Sequence, residues 1–442
     1  MKQANLKLFP LAWPIFIEIA LFMLMGNIDV IMLSRFNEVA VAAVGNANQI
    51  FGLVGLIFSV ITMSTAVLLG QYIGAKRNDQ LNILGSTAMF GNLVFSLMLS
   101  LIIIFFSRQI LSLINVPNEA IELAVSYMVI VGGFIFVHSL SMTLSSMIKS
   151  SGNTRPVMMV ALFMNVLNVI GNYIFLFGPF GIPVLGVQGV AISTAVSRFL
   201  GFLYYFYYVK KHLNIHISVK YLFPFPKEIV KKMLHVGIPS ALEPLSYQMS
   251  QLVIFSIINT LGLVVINTRL YVMTLIWFVF LACMAISQAS QIMVAQMIGA
   301  NKEKEVKSIV YRNLRLSYLI TVPLSILLAF FGQYLITIFT NDPAIIQLAR
   351  WIFIVDVFVE LGRVTNLVII NSAKGAGDVK FPAYIGIASM WVFAVGFSYI
   401  LGVGLGWGLI GIWVSFGLDE SVRAVIMLIR WQTNGWYGKK LV

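Results

Sequence analysis

Long apolar stretches, broken by short charged or Gly/Pro-rich segments, run along the whole chain. Six of them lie near residues 10–34, 46–70, 82–106, 122–147, 156–178 and 187–209. Six more lie near residues 235–260, 270–298, 313–339, 346–371, 381–403 and 408–430. Since about 20 apolar residues in a helix cross the hydrocarbon core of a bilayer, the pattern predicts twelve transmembrane helices, called spans 1 to 12 below.

The composition agrees with a membrane location. Of the 442 residues, 60% are hydrophobic and only 10% are charged. A soluble fold of this length could not place so much apolar surface away from water, so we expect an all-α polytopic membrane protein whose partner is the lipid bilayer. Span 1 contains two carboxylates and no convincing cleavage site, which favours a retained helix over a signal peptide. The single cysteine, Cys283, excludes a disulfide within the chain.

The net charge of +13 is distributed unevenly between the loops. Of the 29 Lys and Arg residues, 22 fall on one predicted side of the membrane, the side of the central loop and both termini, Lys2 included. Four fall on the opposite side, at Arg35, Arg108, Arg269 and Arg350, and three lie within spans, at Arg198, Arg363 and Arg423. The positive-inside rule predicts cytoplasmic termini and a place in the cytoplasmic (inner) membrane. No basic face or motif for nucleic acid is present, so no nucleic-acid partner is expected.

The two halves of the chain repeat one another at a constant offset of 225 residues. The matching positions are Pro14 and Pro239, Glu18 and Glu243, Gln71–Ala75 and Gln296–Ala300, Lys149–Gly152 and Lys374–Gly377, and Arg198 and Arg423. The offset predicts an N-lobe at 1–209 with spans 1–6, a cytoplasmic linker at 210–232 and a C-lobe at 233–442 with spans 7–12. Six spans per repeat give both lobes one orientation, so we expect a pseudo-two-fold axis along the membrane normal and a cavity between the lobes.

Polar residues inside the first six spans indicate a candidate ion site. Span 1 carries Glu18 and Asp29, and the spacing of Asn165, Asn168 and Asn172 places three amides on one face of span 5. Span 6 adds hydroxyl groups, Thr194 among them. Ionisable groups within a bilayer normally face a cavity or a partner, and a carboxylate with amide and hydroxyl oxygens suits a monovalent cation or a proton. The alternative is that the asparagines only hold helices together.

The second half carries more charge within its spans. The candidates are Glu243 on span 7, Asp356, Glu360 and Arg363 on span 10, and Asp419, Glu420 and Arg423 on span 12. Five carboxylates against two arginines leave a surplus of acid that would suit cationic substrates or protons. The alternative is a closed salt-bridge cluster of Glu360, Arg363, Asp419, Glu420 and Arg423 that locks spans 10 and 12 together. For Glu243 and Asp356 the hypothesis is a role in the cavity.

Several classes of protein are disfavoured by missing motifs. The chain has no G-x-x-x-x-G-K-[ST] phosphate loop, no G-x-S-x-G elbow, no His-rich metal cluster and no filter-like repeat. ATP hydrolysis, other catalysis and a channel are therefore not expected. No cofactor is expected beyond a coupling ion, H⁺ or Na⁺.

The residues resemble the multidrug and toxic compound extrusion (MATE) family, of the NorM/DinF-like bacterial type. The resemblance rests on Gly26-Asn-Ile-Asp29 and the residues up to Ser34, on Gly237-Ile-Pro239, on the Gly377-Asp378 turn and on Asn168-x-x-x-Asn172. It covers essentially the whole chain. It implies a monomeric H⁺- or Na⁺-coupled antiporter that exports amphipathic, often cationic drugs by alternating access.

The resemblance also assigns roles to residues. Asp29 matches the family's coupling aspartate, with Asn168, Asn172 and Thr194 as its partners, and Na⁺ is expected, if bound, at Asp29, Asn168 and Asn172. The family's second sodium site uses acids on spans 7 and 10. Here Tyr247 stands at the span 7 position, one turn from Glu243, and Arg363 stands at the span 10 position. Because these two positions differ from the family's second sodium site, coupling is predicted at Asp29 instead.

A related fold offers an alternative function, a flippase for lipid-linked oligosaccharide precursors. Such a protein would be expected to hold pyrophosphate head groups in an arginine-rich groove. Only Arg198, Arg363 and Arg423 lie within the spans, which favours the antiporter.

Overall fold

The computed structural model describes residues 6–442, so residues 1–5 of the predicted N-lobe, with Lys2, lie outside the described residues. The first half forms α1 (Leu8–Ser34), α2 (Glu38–Gly74), α3 (Asn78–Leu113), α4 (Asn118–Gly133), α5 (Ile135–Ser150), α6 (Arg155–Phe177) and α7 (Val187–His212). The second half forms α8 (Lys227–Asn259), α9 (Leu263–Gly299), α10 (Glu303–Ile336), α11 (Pro343–Ala376), α12 (Lys380–Ser389) and α13 (Gly408–Gln432). No β-strand occurs between residues 6 and 442.

The helices confirm the predicted all-α class. Helices α4 and α5 meet at a bend of 47° and together correspond to span 4. Helix α12 continues through π-helical turns at Met390–Gly396 and Ser398–Gly404 and corresponds to span 11. Every other span corresponds to one helix.

Not every helix is equally apolar. Within the described chain, eight segments are long and apolar enough to cross a membrane unaided, or nine when the bent α4–α5 pair counts as one. Helices α8, α11 and α13 do not reach that apolarity, and these three carry the ionisable residues of spans 7, 10 and 12. Their polar faces must be covered by protein rather than lipid.

The chain divides into two compact units. The first contains residues 13–237, and the second contains residues 238–442 together with residues 6–12. The predicted lobe boundaries at 209 and 233 remain a prediction. The first unit has an apolar core formed by α2, α3, α4 and α7, in which Val44, Phe58, Tyr127 and Val190 are fully or almost fully buried.

Close helix packing in the first unit positions polar side chains of α6 against α7. A Cβ atom added at Gly171 of α6 would lie 2.5 Å from the hydroxyl oxygen of Ser193 on α7. Only a glycine allows this approach. Asn168, about one helical turn earlier on α6, is therefore brought within hydrogen-bonding reach of Thr194 on α7.

Helix α11 is the centre of the second unit, where it packs against α9, α10 and α13. It begins with Asp342 as its N-cap, whose carboxylate accepts a hydrogen bond from the Ala344 amide, and ends at Gly377 in the left-handed conformation. A Cβ added at Gly362 would lie 2.7 Å from the backbone of Glu420. This close contact of α11 with α13 brings the charges of spans 10 and 12 together.

Candidate functional site

Asp29 of α1 lies at one end of a buried chain of hydrogen bonds. The Asn172 side-chain amide of α6 donates to its carboxylate Oδ1 at 2.5 Å, and the same amide group donates to Asn168 Oδ1 at 3.3 Å. Asn168 in turn donates to the hydroxyl oxygen of Thr194 on α7 at 3.1 Å. All four side chains are at most 5% exposed. The structure thus brings together the four residues predicted for coupling.

Each hydrogen bond that links Asp29, Asn172, Asn168 and Thr194 has a defined donor and acceptor. The Thr194 hydroxyl donates to the backbone carbonyl of Val190 at 2.9 Å, so its oxygen is left to accept from Asn168. Asn172 Oδ1 is buried and has no hydrogen-bond partner among the described residues. Buried oxygens normally have a partner, and an unpartnered amide oxygen in a side chain that contacts a carboxylate is chemistry that a small cation can satisfy.

The other asparagine of the predicted face has a different role. Asn165 donates to the Ala161 carbonyl of its own helix at 2.8 Å. Its contact lies within α6 rather than at Asp29, so the structure separates Asn165 from the polar chain of Asn168 and Asn172.

Arg198 acts on Asp29 electrostatically, and Tyr127 is buried in the same unit. Arg198 of α7 attracts the Asp29 carboxylate, although no ion pair within 4 Å joins them in the described chain. Tyr127 of α4 is 1% exposed, and its hydroxyl donates to Asn48 Oδ1 at 3.4 Å. Sequence reasoning missed Tyr127, because a tyrosine among the 16 of an aromatic-rich membrane protein has no distinguishing signal.

Glu18 forms a separate ion pair instead of joining Asp29. Lys149, near the end of α5, places its Nζ 3.1 and 3.2 Å from the two carboxylate oxygens of Glu18. The Ser145 hydroxyl adds a longer hydrogen bond of 3.5 Å. The carboxylate side chain is 7% exposed and the lysine side chain 21%, so this is a largely buried pair between the first and fourth spans of the unit.

The second unit repeats this ion pair. Lys374 of α11 places its Nζ 2.6 Å from Glu243 Oε2 of α8, and both partners stand 225 residues after those of the first pair. Glu243 therefore has a buried positive partner, and its predicted role in a cavity remains a prediction. The signal for both lysines is present in the repeat, in Lys149–Gly152 and Lys374–Gly377, although both motifs follow the predicted ends of spans 4 and 10.

A network of ion pairs joins α11 to α13. Arg363 pairs with Glu360 one turn earlier on its own helix and lies 3.8 Å from Glu420 Oε1. Arg423 lies 2.6 Å from Asp419 Oδ2 and 3.3 Å from Glu420 Oε1. Glu420 thus connects the two arginines, which is the arrangement expected of the salt-bridge alternative.

Neutral side chains complete this network. Asn366 of α11 donates to Glu420 Oε2 at 2.6 Å and to its backbone carbonyl at 2.7 Å. The Ser389 hydroxyl, at the end of α12, donates to Asp419 Oδ1 at 2.5 Å. Three helices therefore contribute to the cluster.

Asp356 lies next to this network but is not paired with an arginine. The indole Nε1 of Trp413 donates to Asp356 Oδ1 at 3.1 Å. Its second oxygen and Glu360 Oε2 are buried without a hydrogen-bond partner in residues 6–442. With Glu243 paired to Lys374, the carboxylates Asp356, Glu360, Asp419 and Glu420 face only two arginines. Two more carboxylates than arginines are therefore present, one on α11 and one on α13, and Asp356 of α11 is the carboxylate without an arginine partner among the described residues.

An all-helical membrane protein with ionisable clusters inside its spans has the construction of a secondary transporter. The sequence model of the MatE family matches residues 14–174 and again residues 239–400. The chain belongs to this family. The two matches begin 225 residues apart, at the offset of the internal repeat.

Relatives span nearly the full chain. The Bacillus subtilis protein YisQ, described as an uncharacterised transporter, is 38% identical over 433 residues, which cover 98% of this chain and 95% of YisQ. A probable multidrug resistance protein NorM from Thermotoga maritima is 26% identical and covers 99% of this chain and 94% of its own length.

Solved structures show the same fold. The Vibrio cholerae MATE transporter VcmN superposes with a TM-score of 0.89 at 16% identity, covering 97% of this chain and 96% of VcmN. A transporter of the MOP superfamily from Pyrococcus furiosus has a TM-score of 0.86 at 18% identity, covering 97% and 95%.

Proposed function

We propose that this chain is a cation-coupled antiporter, driven by H⁺ or Na⁺, that exports amphipathic, often cationic drugs. Membership of the MatE family and the name of the NorM relative support drug efflux. The observation that carries the coupling is the buried Asp29 carboxylate with Asn172 at 2.5 Å. The distribution of basic residues supports a place in the cytoplasmic membrane with both termini in the cytoplasm.

In this proposal Asp29 binds the coupling ion. Either a proton or Na⁺ neutralises the carboxylate, and the side-chain oxygens of Asn168, Asn172 and Thr194 complete a site for Na⁺. Oxygen ligands are those that a hard cation prefers. Neutralisation weakens the attraction between Asp29 and the cationic Arg198, so ion binding repacks α1 and moves the protein through its alternating-access cycle.

The energy available is sufficient for accumulation. One positive charge moving inward down the membrane potential releases about 2.3 kcal/mol per 100 mV. At about 1.36 kcal/mol for each factor of ten, one coupled charge supports a roughly fiftyfold gradient of a substrate that carries no net charge. Exchange of one coupling ion for one monovalent cation moves no net charge, so that exchange is driven by the concentration gradient of the coupling ion.

We assign substrate binding to the surplus of carboxylates in the second unit. Asp356 and Glu360 each keep one buried carboxylate oxygen without a partner, whereas Arg363 and Arg423 already have carboxylates. Asp356 has no arginine partner in the described chain, and Glu360 shares Arg363 with Glu420, so buried negative charge exceeds positive charge here. That excess is costly, and a cationic substrate or a proton would relieve it. Glu360, Arg363, Asp419, Glu420 and Arg423 hold the helices that present this charge.

The flippase alternative is less favoured. It requires guanidinium groups free to hold pyrophosphate. Two of the three arginines within the spans are engaged by carboxylates of the same unit, and the third, Arg198, is attracted by the Asp29 carboxylate. No cluster of free arginines is present in the described spans.

The coupling is tested in everted membrane vesicles. Uptake of a fluorescent cation is followed after imposing either a proton or a sodium gradient. Asp29→Asn should abolish the uptake driven by the gradient. Asn165→Ala is the control, because Asn165 shares a face with Asn168 but makes its contact inside α6, and it should retain the uptake.

Equal uptake by Asp29→Asn and the unmodified protein under both gradients would overturn the coupling role of Asp29. Failure of the unmodified protein across a varied panel of amphipathic cations would overturn the export function itself.

A further inference from the structure

The four arginines on the predicted outer side differ in their contacts. Arg108 pairs with Glu122. Arg269 donates to Gln251 Oε1 at 3.1 Å and lies over the ring of Phe255. Arg35 and Arg350 have neither an ion pair nor a side-chain hydrogen bond among residues 6–442. Neither guanidinium group has a carboxylate within 4 Å in this part of the chain.

Arg350 lines a groove on the surface of the second unit. The groove has a volume of about 580 Å³ and runs between α10 and α11. Gln333 and Tyr334 of α10 stand beside Arg350, and Phe330 and Phe358 form apolar walls. Phe330 is 69% exposed and Phe358 is 64% exposed, so this face is covered by something other than the rest of the unit.

The groove changes from polar to apolar along its length. Tyr334 lies two residues before the end of α10 at Ile336, on the side where the four sparsely distributed arginines occur. Phe358 lies eight residues after Arg350 on α11, which is about 12 Å further along the helix. The polar groups are therefore near one membrane surface, and the aromatic walls extend from them toward the interior of the bilayer.

We propose that this groove, called the Arg350 groove, is a binding site for one phospholipid. The guanidinium of Arg350 binds the lipid phosphate, for which its planar set of donors is suited. The Gln333 amide and the Tyr334 hydroxyl donate to the same head group, and a tyrosine at this level is typical of the interface. An acyl chain lies between Phe330 and Phe358.

The first unit contains a groove of similar chemistry, which supports this reading. Its volume is about 520 Å³, and it is lined by Ile31, Met32, Arg35, Tyr173 and Phe177. The second arginine without a protein partner thus also lies beside a tyrosine and exposed apolar groups. The lining given for this groove contains no amide side chain. We therefore expect the Arg350 groove, which has Gln333, to bind a lipid head group with higher affinity.

The proposal is tested by native mass spectrometry of the full-length protein purified in detergent. Phosphatidylglycerol is added, with diacylglycerol of the same acyl chains in a parallel arm, and the bound lipid is counted. Arg350→Gln should weaken phosphatidylglycerol binding at least about tenfold, the loss expected for a hydrogen-bonded charge. Arg108→Gln is the matched control, an outer arginine that has an acidic partner, and should bind as the unmodified protein does.

Two results would overturn the lipid site. One is phosphatidylglycerol binding by Arg350→Gln that equals that of the unmodified protein, since Arg350 would then not hold the phosphate. The other is equal retention of diacylglycerol, which has no phosphate. The thermal unfolding temperature of each variant shows that it remains folded. Because the readout is lipid binding without transport, the outcome is independent of whether the efflux proposal holds.

Discussion

Lys374 lies 2.6 Å from Glu243, a carboxylate 131 residues earlier in the chain. The first unit contains the same contact, at the same separation, between Lys149 and Glu18. In each unit the pair ties the first span to the end of the fourth. Since both partners are largely buried, removal of either one leaves a charge without a partner.

Glu243→Gln should therefore destabilise the protein. Loss of one partner from a buried pair costs about 3–5 kcal/mol, which would appear as a clear decrease in the unfolding temperature in detergent. Arg108→Gln, which breaks an exposed pair, should change stability by less than about 1 kcal/mol. The charge reversal Glu243→Lys with Lys374→Glu should recover part of the loss. If Glu243→Gln unfolds at the temperature of the unmodified protein, the pair has no structural role.

Asn172→Leu should impair coupling without removing Asp29. The substitution keeps a side chain of similar size but deletes the amide that donates to the Asp29 carboxylate. A hydrogen bond to a charged group is worth about 1.5–3 kcal/mol, so uptake driven by the ion gradient should fall about tenfold or more. Initial rates in proteoliposomes at matched protein density measure this. Unchanged rates would show that the Asn172 contact does not support ion binding.

Thr194→Val should have a smaller effect than Asn172→Leu. It removes the hydroxyl that accepts from Asn168 and leaves a buried amide without an acceptor, which costs about 1–3 kcal/mol. Ion affinity should fall severalfold. Thr194→Ser keeps the hydroxyl and is the matched control. A Thr194→Ser variant as defective as Thr194→Val would point to packing by the methyl group instead of hydrogen bonding.

Asp356→Asn should separate substrate binding from stability. Asparagine keeps an oxygen that can accept from Trp413 Nε1 but removes a buried negative charge that lacks a counter-charge. We expect unfolding at the same or a higher temperature and an increased KM for dicationic substrates relative to monocationic ones. The KM values of two such dyes under one gradient give the comparison. If KM changes by the same factor for both dyes, Asp356 does not distinguish substrates by their charge.

The sequence predicted contacts along a helix better than contacts between helices. Periodicity alone places Glu360 beside Arg363, and Asp419 beside Arg423, because residues three or four apart share a face. The Asn172–Asp29 contact joins residues 143 positions apart. No local pattern encodes that approach. The polar residues of spans 1, 5 and 6 indicated a candidate ion site, and the family resemblance named Asn168 and Asn172 as the partners of Asp29.

The helices also extend beyond the ends of the apolar stretches. Span 10 was predicted to end near residue 371, whereas α11 continues to Ala376. Lys374 lies beyond that predicted end, but the structure places it inside the helix and 8% exposed. Hydropathy marks the end of an apolar run, while the helix itself continues until Gly377 turns the backbone. The partner of Glu243 was hidden for this reason.

The limited apolarity of α8, α11 and α13 has a consequence for biosynthesis. An acidic or basic residue near the middle of a helix opposes its release from the translocon into lipid by about 2.5–3.5 kcal/mol, and α11 contains Asp356, Glu360 and Arg363. Alone, this helix would not partition into the bilayer. Arg363 of this helix reaches its second carboxylate partner only after α13 has been synthesised, because Glu420 is on that helix. We therefore expect α11 to leave the translocon together with α13, so that truncation before α13 should prevent stable insertion of α11.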